Sequence, residues 1–197
     1  MTEPVVIEAL AAAARALRQR QERFALIGGL AVSVHGEVRF TRDVDLAVAV
    51  MDDEAAERLV YGLRADGFEP FASVEHGERE RLSTVRLLSP QGVKIDLIFA
   101  SSGIETEAVE RATVIDVPGT GPLPVACVEE LVAMKTLSMT NRRLQDRIDA
   151  QRLLEHTNGL DLDRVRANLG LIRQRGYDRG EDLEAKLASL LAEIRLG

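Results

Sequence analysis

The chain has little of several residue types, and each shortage excludes a class of protein. Cys127 is the single cysteine among 197 residues, so neither a disulfide framework nor a cysteine metal site can be assembled. Tryptophan is absent and aromatic residues make up only 4%, which leaves a core of Leu, Val, Ile and Ala. No apolar run reaches the roughly 18 residues of a membrane span, and no secretion leader opens the chain. We therefore expect a cytoplasmic protein with no membrane partner.

The charge of the chain is acidic overall and basic in one segment. The formal net charge is −7, which argues against binding nucleic acid through charge alone. Between Lys135 and Arg152, however, five basic residues are opposed only by Asp146 and Asp149, a local net charge of +3. This segment is either a footprint for RNA or for a triphosphate or one solvated helix face.

Apolar spacing and breaker residues predict alternating strands and helices, followed by helices alone. In chain order the predicted elements are helix 4–23, strand 24–27, helix 30–35, strand 43–50, helix 52–65, strands 81–88, 93–99 and 113–117, and helices 128–139, 143–156, 162–174 and 181–194. This order indicates an α/β (α+β) fold. We expect a core at 1–124 and a helical C-terminal region at 125–197 packed on it, within one domain or two.

Acidic residues recur on one face of the predicted strands. Asp43 and Asp45 are two apart, so both point away from the apolar face of their strand. Asp96 and Lys94 do the same on a later strand, and Asp96 joins the first two acids if the strands are neighbours. Three close carboxylates repel one another unless a positive charge lies between them. In proteins, Mg²⁺ (or Mn²⁺) commonly supplies that charge. Alone, an Asp-x-Asp pattern also fits a solvated strand face, although acidic residues are depleted in strands.

Two glycines stand between a predicted buried strand and a short helix. Gly28 and Gly29 precede Asp43 by about 14 residues. Such a position lets backbone N–H groups and a helix N-terminus approach phosphate. The alternative is a tight turn that requires a positive φ.

The order of these features resembles the polymerase-β-like nucleotidyltransferase superfamily. The segments 27–36, 39–46, 93–98, 128–135 and 145–149 are closer still to the bacterial subgroup of abortive-infection (AbiEii-type) nucleotidyltransferase toxins. The resemblance covers roughly residues 24–154. It implies a small mixed β-sheet core flanked by helices, with a C-terminal helical bundle.

The resemblance also implies roles for particular residues. Asp43, Asp45 and Asp96 would be the catalytic residues and the metal ligands, with Asp96 as the general base for the acceptor hydroxyl. Gly28 and Gly29 would bind the nucleotide phosphates. Gly29 stands where many relatives carry Ser, so one phosphate-binding hydroxyl is missing here.

Three further residues are candidates for nucleotide binding. Lys135 lies on or beside the apolar stripe of its helix, so it either extends outward to solvent or reaches a phosphate. Asp146 and its neighbour Asp149 either form surface ion pairs with nearby arginines or orient Lys135 or the nucleotide. Arg39 precedes the acidic strand and is either solvated or a contact for the triphosphate.

These observations predict a metal-dependent enzyme that moves a nucleoside monophosphate from an NTP to an acceptor hydroxyl. We expect the acceptor to be RNA (a tRNA end, for example) or protein, and the role to be that of a toxin-antitoxin or phage-defence toxin with a cognate antitoxin as partner. An aminoglycoside-type antibiotic nucleotidyltransferase is the alternative, because an acidic chain suits a cationic acceptor. A catalytically silent nucleotide-binding module and a plain interaction domain remain open.

Overall fold

A computed structural model describes residues 4–36, 41–76 and 81–194. The helices are α1 (Pro4–Gln19), α2 (Gly28–Val34), α3 (Asp53–Arg64), α4 (Glu105–Glu110), α5 (Val128–Ser138), α6 (Leu144–His156), α7 (Leu162–Gln174) and α8 (Leu183–Ile194). The strands are β1 (Phe24–Ile27), β2 (Asp43–Val48), β3 (Glu69–His76), β4 (Arg81–Leu88), β5 (Lys94–Ile98), β6 (Thr113–Val117) and β7 (Gly121–Val125). None of these helices combines the length and the apolar character that crossing a bilayer requires.

The strands form one mixed sheet in the order β3-β4-β5-β2-β1-β7-β6. β2 runs parallel to β5, and β1 runs parallel to β7. The other neighbouring strands are antiparallel. The predicted mixed sheet with flanking helices is therefore confirmed. Its centre consists of β5, β2 and β1, so the acidic strands lie side by side and the glycine pair follows directly on the next strand.

Local chemistry explains where several elements begin and end. Asp52 caps α3, because its side chain accepts a hydrogen bond of 2.8 Å from the backbone N–H of Ala55. Gly67 follows the end of α3 with φ +84°, a backbone conformation that favours glycine. α2 begins earlier than predicted, because Gly28 and Gly29 form its first turn instead of a loop before it.

Sequence analysis did not predict β3, α4 or β7. β7 contains Pro122 and Pro124, which argue against a strand. The strand tolerates them because its pairing with β1 is confined to Val125 opposite Leu26. β3 is an edge strand that exposes Phe71, so it lacks the clean alternation of a half-buried strand.

A continuous hydrophobic core joins the sheet to the C-terminal helices. The apolar face of β2 is fully buried through Val44, Leu46 and Val48. The same cluster includes side chains of α5 and α7, so it crosses residue 124. His35, at the end of α2, bonds through Nε2 to the carbonyl oxygen of Ala126 at 2.8 Å. This hydrogen bond ties the end of α2 to the segment that leads into α5.

Candidate active site

The register of the two acidic strands brings the predicted carboxylates together. β2 and β5 are parallel neighbours, with Asp45 opposite Asp96 and Asp43 opposite Lys94. Residues directly opposite each other on adjacent strands project to the same face. The expectation that Asp96 joins the two earlier acids on one surface is therefore confirmed. We call Asp43, Asp45 and Asp96 the sheet carboxylates.

Two basic side chains accompany the sheet carboxylates. Lys94 Nζ lies 2.7 Å from Asp43 Oδ2 and 3.6 Å from Asp96 Oδ2. Arg86 lies opposite Asp96 on β4 and places its Nε 3.8 Å from Asp96 Oδ2. Three carboxylates and two cations leave an excess of one negative charge on this surface.

Burial and mutual repulsion perturb the two central acids. Burial, and then the charge of Asp96, raise the pKa of Asp45 to about 6, against the lowering effect of Lys135 and Lys94. Burial also raises the pKa of Asp96 above its ordinary value, although Lys94 and Arg86 act in the opposite direction. Both acids thus hold their protons more tightly than exposed carboxyls, as expected where negative charge is incompletely compensated.

The chemistry of this surface fits a divalent cation. Asp96 is 8% exposed, and its Oδ1 is buried without a hydrogen-bond partner among the described residues. A buried acceptor without a partner is destabilising, and the anionic oxygen of Asp45 lies on the neighbouring strand. Hard carboxylate oxygens are the ligands that Mg²⁺ takes in proteins. A cation shared by Asp45 and Asp96 would satisfy both groups.

The sheet carboxylates are spread more widely than one compact ligand cluster. Within the described ranges, the group of three possible ligands whose atoms lie within 4.8 Å of one another is Cys127, Glu129 and Glu130. Glu130 is fully buried and already accepts hydrogen bonds from Arg111 and Arg164. Those partners neutralise its carboxylate, so this group ties α5 to its neighbours and does not resemble a metal site.

Gly28 admits no other residue. Its φ is +67°, and a Cβ at this position would lie 2.0 Å from Asp45 Oδ2. Such a contact is impossible without a shift of the carboxylate, and the positive φ would strain any L side chain. The glycine thus allows the Asp45 carboxylate to lie directly against the backbone at the start of α2. Gly29 follows it in the first turn of α2 and is buried.

A cleft of about 120 Å³ opens beside Gly28 and Asp45. Its other walls include Ser101 and Ser102, which follow β5, together with Lys135 and Arg143. Pockets for small molecules usually measure about 300–1,000 Å³. A nucleotide would therefore extend beyond this cleft or displace side chains at its mouth.

Lys135 is fixed by two buried acids at one side of this cleft. Its Nζ lies 2.7 Å from Asp146 Oδ1 and 2.8 Å from Asp149 Oδ2. Arg143 reaches the other oxygen of Asp146, with 2.7 Å between Nε and Oδ2. Lys135, Asp146 and Asp149 are 9%, 6% and 0% exposed. We call these three residues the helix cluster.

The helix cluster corrects two of the alternatives drawn from sequence. Lys135 does not extend outward to solvent, because its helix face is covered by α6 and the side chain is buried. Asp146 and Asp149 are not surface acids, because both carboxylates are buried. The remaining alternative, that the two acids orient Lys135, agrees with the distances.

The basic segment between Lys135 and Arg152 is not a continuous free surface. Lys135 is engaged in the helix cluster, and Arg143 is paired with Asp146. Arg147 binds Glu193 on α8. At least three of the five basic residues thus have acidic partners, which reduces the charge available to RNA. Arg39, the remaining predicted nucleotide contact, lies outside the described residues.

Sequence analysis missed the loop that follows β5. Glu105 is 3% exposed, and its carboxylate accepts the backbone N–H groups of Ser101, Ser102 and Gly103 at 2.9, 2.6 and 2.9 Å. The Ser102 hydroxyl also donates to it at 2.8 Å. These bonds fix the two serines that line the cleft. The spacing Ser102-x-x-Glu105 is that of a capping box, and this signal was present in the sequence.

The chain matches one known protein family over nearly its whole length. The sequence signature of the nucleotidyl transferase AbiEii toxin family, type IV toxin–antitoxin system, matches residues 9–196. The chain belongs to the AbiEii family. The predicted subgroup is therefore confirmed, and so is the enzyme class, a nucleotidyltransferase. A comparison with curated proteins finds no match.

Several solved structures share the fold of this AbiEii-family chain. The antibiotic-resistance factor ANT(2'')-Ia is 15% identical with a TM-score of 0.54, over 86% of this chain and 91% of that one. The lincosamide antibiotic adenylyltransferase LnuA is 14% identical with a TM-score of 0.51, over 76% and 96%. An antigenic nucleotidyltransferase-like protein from Paracoccidioides brasiliensis is 17% identical with a TM-score of 0.51, over 93% and 92%. These identities establish a common fold and nothing about substrate.

Proposed function

We propose that this protein transfers a nucleoside monophosphate from an NTP to an acceptor hydroxyl in a reaction that depends on Mg²⁺ or Mn²⁺. The observation that carries the proposal is the register of β2 and β5, which sets Asp45 directly opposite Asp96. A cleft beside Gly28 and Asp45 gives substrate access to this pair. Membership of the AbiEii family supports the same chemistry.

The sheet carboxylates are the groups that would hold the metal. Asp45 and Asp96 face each other across the strand pair, and Asp43 lies at the same surface. The bound cation would polarise the phosphate under attack and neutralise charge on the leaving pyrophosphate. Asp45 is ionised at neutral pH despite its raised pKa of about 6, so it is available as a ligand.

Asp96 is the residue we assign as general base. Its raised pKa makes it a better proton acceptor than an exposed carboxylate, and its buried Oδ1 has no hydrogen-bond partner among the described residues. The acceptor hydroxyl gives its proton to Asp96 while its oxygen forms a bond to the α-phosphorus. The bond from that phosphorus to the bridging oxygen breaks, and pyrophosphate leaves with the electron pair.

Lys135 and Gly28 are assigned to binding. Two buried carboxylates hold the Lys135 ammonium at one position beside the cleft, which limits the entropy lost when it meets a phosphate. Asp146 thereby acts on the nucleotide through Lys135. Gly28 lines the cleft at the first turn of α2, where phosphate is favoured, and Gly29 follows it in the same turn. Arg39 keeps its assignment as a triphosphate contact on sequence grounds alone.

We assign the acceptor to RNA, such as a tRNA end, or to protein, and the biological role to a toxin with a cognate antitoxin. The family description names a toxin of a type IV toxin–antitoxin system, which favours a macromolecular acceptor. An antibiotic acceptor is the second candidate. Two structures of the same fold carry antibiotic-modifying names, and the net charge of −7 suits a cationic aminoglycoside.

Label transfer from each α-³²P NTP tests the proposal. The reactions contain Mg²⁺ or Mn²⁺ with total bacterial RNA, a protein extract or an aminoglycoside panel. We expect transfer by the wild type and a loss of about 10²–10⁴-fold in Asp96→Asn, because a general base contributes that much. Arg58→Ala is the matched control, because Arg58 forms an exposed ion pair with Glu54 on α3, away from the cleft.

Each outcome of this assay supports one of the candidate functions. Label on RNA or on protein supports the toxin-like enzyme, and label on aminoglycosides supports the antibiotic-modifying one. Tight NTP binding without transfer to any acceptor would indicate a catalytically silent module. Undiminished transfer by Asp96→Asn would refute the assignment of the general base.

A further inference from the structure

One cation already stands among the sheet carboxylates. Lys94 lies opposite Asp43 in the register of β2 and β5. Its Nζ is 2.7 Å from Asp43 Oδ2 and 3.6 Å from Asp96 Oδ2, so a single ammonium bridges acids on both strands. Lysine is protonated at physiological pH, so the bridge is a cation.

The bridging ammonium and a divalent cation draw on the same two carboxylates. Lys94 contacts Oδ2 of Asp43 and of Asp96, whereas Asp96 Oδ1 has no hydrogen-bond partner among the described residues. Asp43 and Asp96 would each have to turn at least one carboxylate oxygen to the metal. A divalent cation held by these carboxylates would be repelled by the neighbouring ammonium, and the repulsion is twice that between two unit charges at the same distance. Removing the ammonium therefore favours metal binding.

Lys94 is able to leave without breaking the fold. Its side chain is 31% exposed, and lysine has a flexible four-carbon stem that carries a compact, well-hydrated charge. Arg86 differs in this respect. It approaches only Asp96, at 3.8 Å, and no contact joins it to Asp43 among the described residues. Arg86 therefore adds positive potential at the site without occupying the space between the two acids.

We infer that Lys94 is the resident counter-cation of the metal-free site, where it holds Asp43 and Asp96 together, and that it withdraws when the divalent cation binds. The inference rests on the proposed metal-dependent function and deepens it. It gives the protein a defined metal-free state in which the strands remain paired despite the acidic surface. It also makes the affinity for metal lower than the three carboxylates alone would give.

Calorimetric titration with Mn²⁺, without nucleotide and at pH 8, tests the inference. We expect Lys94→Met to bind Mn²⁺ about 10-fold more tightly than the wild type, a difference of about 1.4 kcal/mol. Lys94→Arg retains the charge and should bind no more tightly than the wild type. Arg86→Met is the matched control, because it removes a positive charge near the same Asp96 without removing the bridge. It should raise the affinity far less.

Thermal unfolding gives a second measurement. Without metal, Lys94→Met should melt below the wild type, because the sheet carboxylates lose their bridge. Mn²⁺ should then raise its melting temperature by more than it raises that of the wild type, through linkage between binding and folding. Both results support a counter-cation that the metal replaces.

Three results would overturn the inference. The first is equal Mn²⁺ affinity in Lys94→Met and the wild type. The second is an equal gain in Arg86→Met, which would indicate a general field effect instead of an exchange. The third is no Mn²⁺ binding by any variant. Because no nucleotide is present, label transfer by the wild type would still uphold the proposed function in each case, and tighter binding without any transfer would reject that function alone.

Discussion

The sheet carboxylates and the helix cluster lie on two sides of one cleft and are neutralised differently. In the helix cluster, Lys135 is bound by both Asp146 and Asp149, and Arg143 takes the remaining oxygen of Asp146. Acid and base are balanced there. Among the sheet carboxylates, the acids outnumber the cations, and the pKa of Asp45 is raised to about 6.

This difference indicates that the helix cluster fixes the position of a side chain, whereas the sheet carboxylates are suited to binding a cation. A buried ion cluster whose members are all paired has one favoured geometry, so the helix cluster fixes where the Lys135 ammonium lies. The sheet carboxylates carry negative charge that the fold does not compensate. Uncompensated buried charge lowers stability, and binding sites commonly retain such a cost because function requires it. We therefore expect removal of an acidic charge from the sheet carboxylates to raise stability, and removal of the lysine charge from the helix cluster to lower it.

Removal of the Lys135 charge should have the largest effect on stability. Lys135→Met removes the ammonium that lies 2.8 Å from Asp149 Oδ2, in a residue that is fully buried. The loss of one partner from a buried pair costs about 3–5 kcal/mol. Chemical denaturation of the variant and the wild type measures this difference.

Two controls sharpen the Lys135 measurement. Arg58→Ala breaks an exposed i,i+4 ion pair with Glu54 and should cost less than about 1 kcal/mol. The double variant Lys135→Met/Asp149→Asn should recover part of the loss, because it also removes the stranded charge. A cost for Lys135→Met as small as that of Arg58→Ala would contradict a balanced buried cluster.

The sheet carboxylates should make the stability of the protein depend on pH, and this effect should be smaller than that of Lys135→Met. The pKa of Asp45 is about 6 in the folded protein against an ordinary value of 3.8, so the folded state holds the proton more tightly than the unfolded chain. Stability from this group is present below pH of about 4 and is lost as pH rises to about 6. The shift corresponds to at most about 3 kcal/mol.

Denaturation of the metal-free protein between pH 4 and 7 tests whether ionisation of Asp45 lowers stability as the pH rises. The difference between wild type and Asp45→Asn isolates the group, because other carboxyls titrate in both proteins. The wild type should lose stability relative to the variant as the pH rises, and Mn²⁺ at pH 7 should restore it. A wild type that gains stability relative to Asp45→Asn over this interval would show that Asp45 is already compensated.

The arrangement of the sheet carboxylates could be predicted from the sequence because the patterns that indicate it are local. The alternation of apolar and polar residues along β2 and β5 indicated the face of the strand on which each acid lies. For the three acids to share a surface, the two strands had only to be neighbours. Asp52 and Gly67 marked the ends of α3 through their own chemistry. A period-2 pattern and a capping residue act within a few positions, so they can be read from one segment.

The helix cluster could not be predicted in the same way. Asp146 has arginines at helical spacing on its own helix, so a surface ion pair was the simplest interpretation. Its partner Lys135 belongs to another helix, and only the packing of α5 on α6 brings their atoms to 2.7 Å. The same reasoning applies to β7, whose two prolines are tolerated because of how little of the strand pairs with β1. Burial and partner choice depend on tertiary packing, which no single segment encodes.

The variant Asp45→Asn tests most directly whether charge at the sheet carboxylates is retained for function at the expense of stability. Its melting temperature without metal and its nucleotide transfer with Mn²⁺ are measured at pH 7.5, in parallel with the wild type. We predict a variant that melts higher, by about 2–4 °C for each kcal/mol gained, and that transfers no detectable label. A variant that melts lower than the wild type, or that still transfers nucleotide at the wild-type rate, would contradict this account.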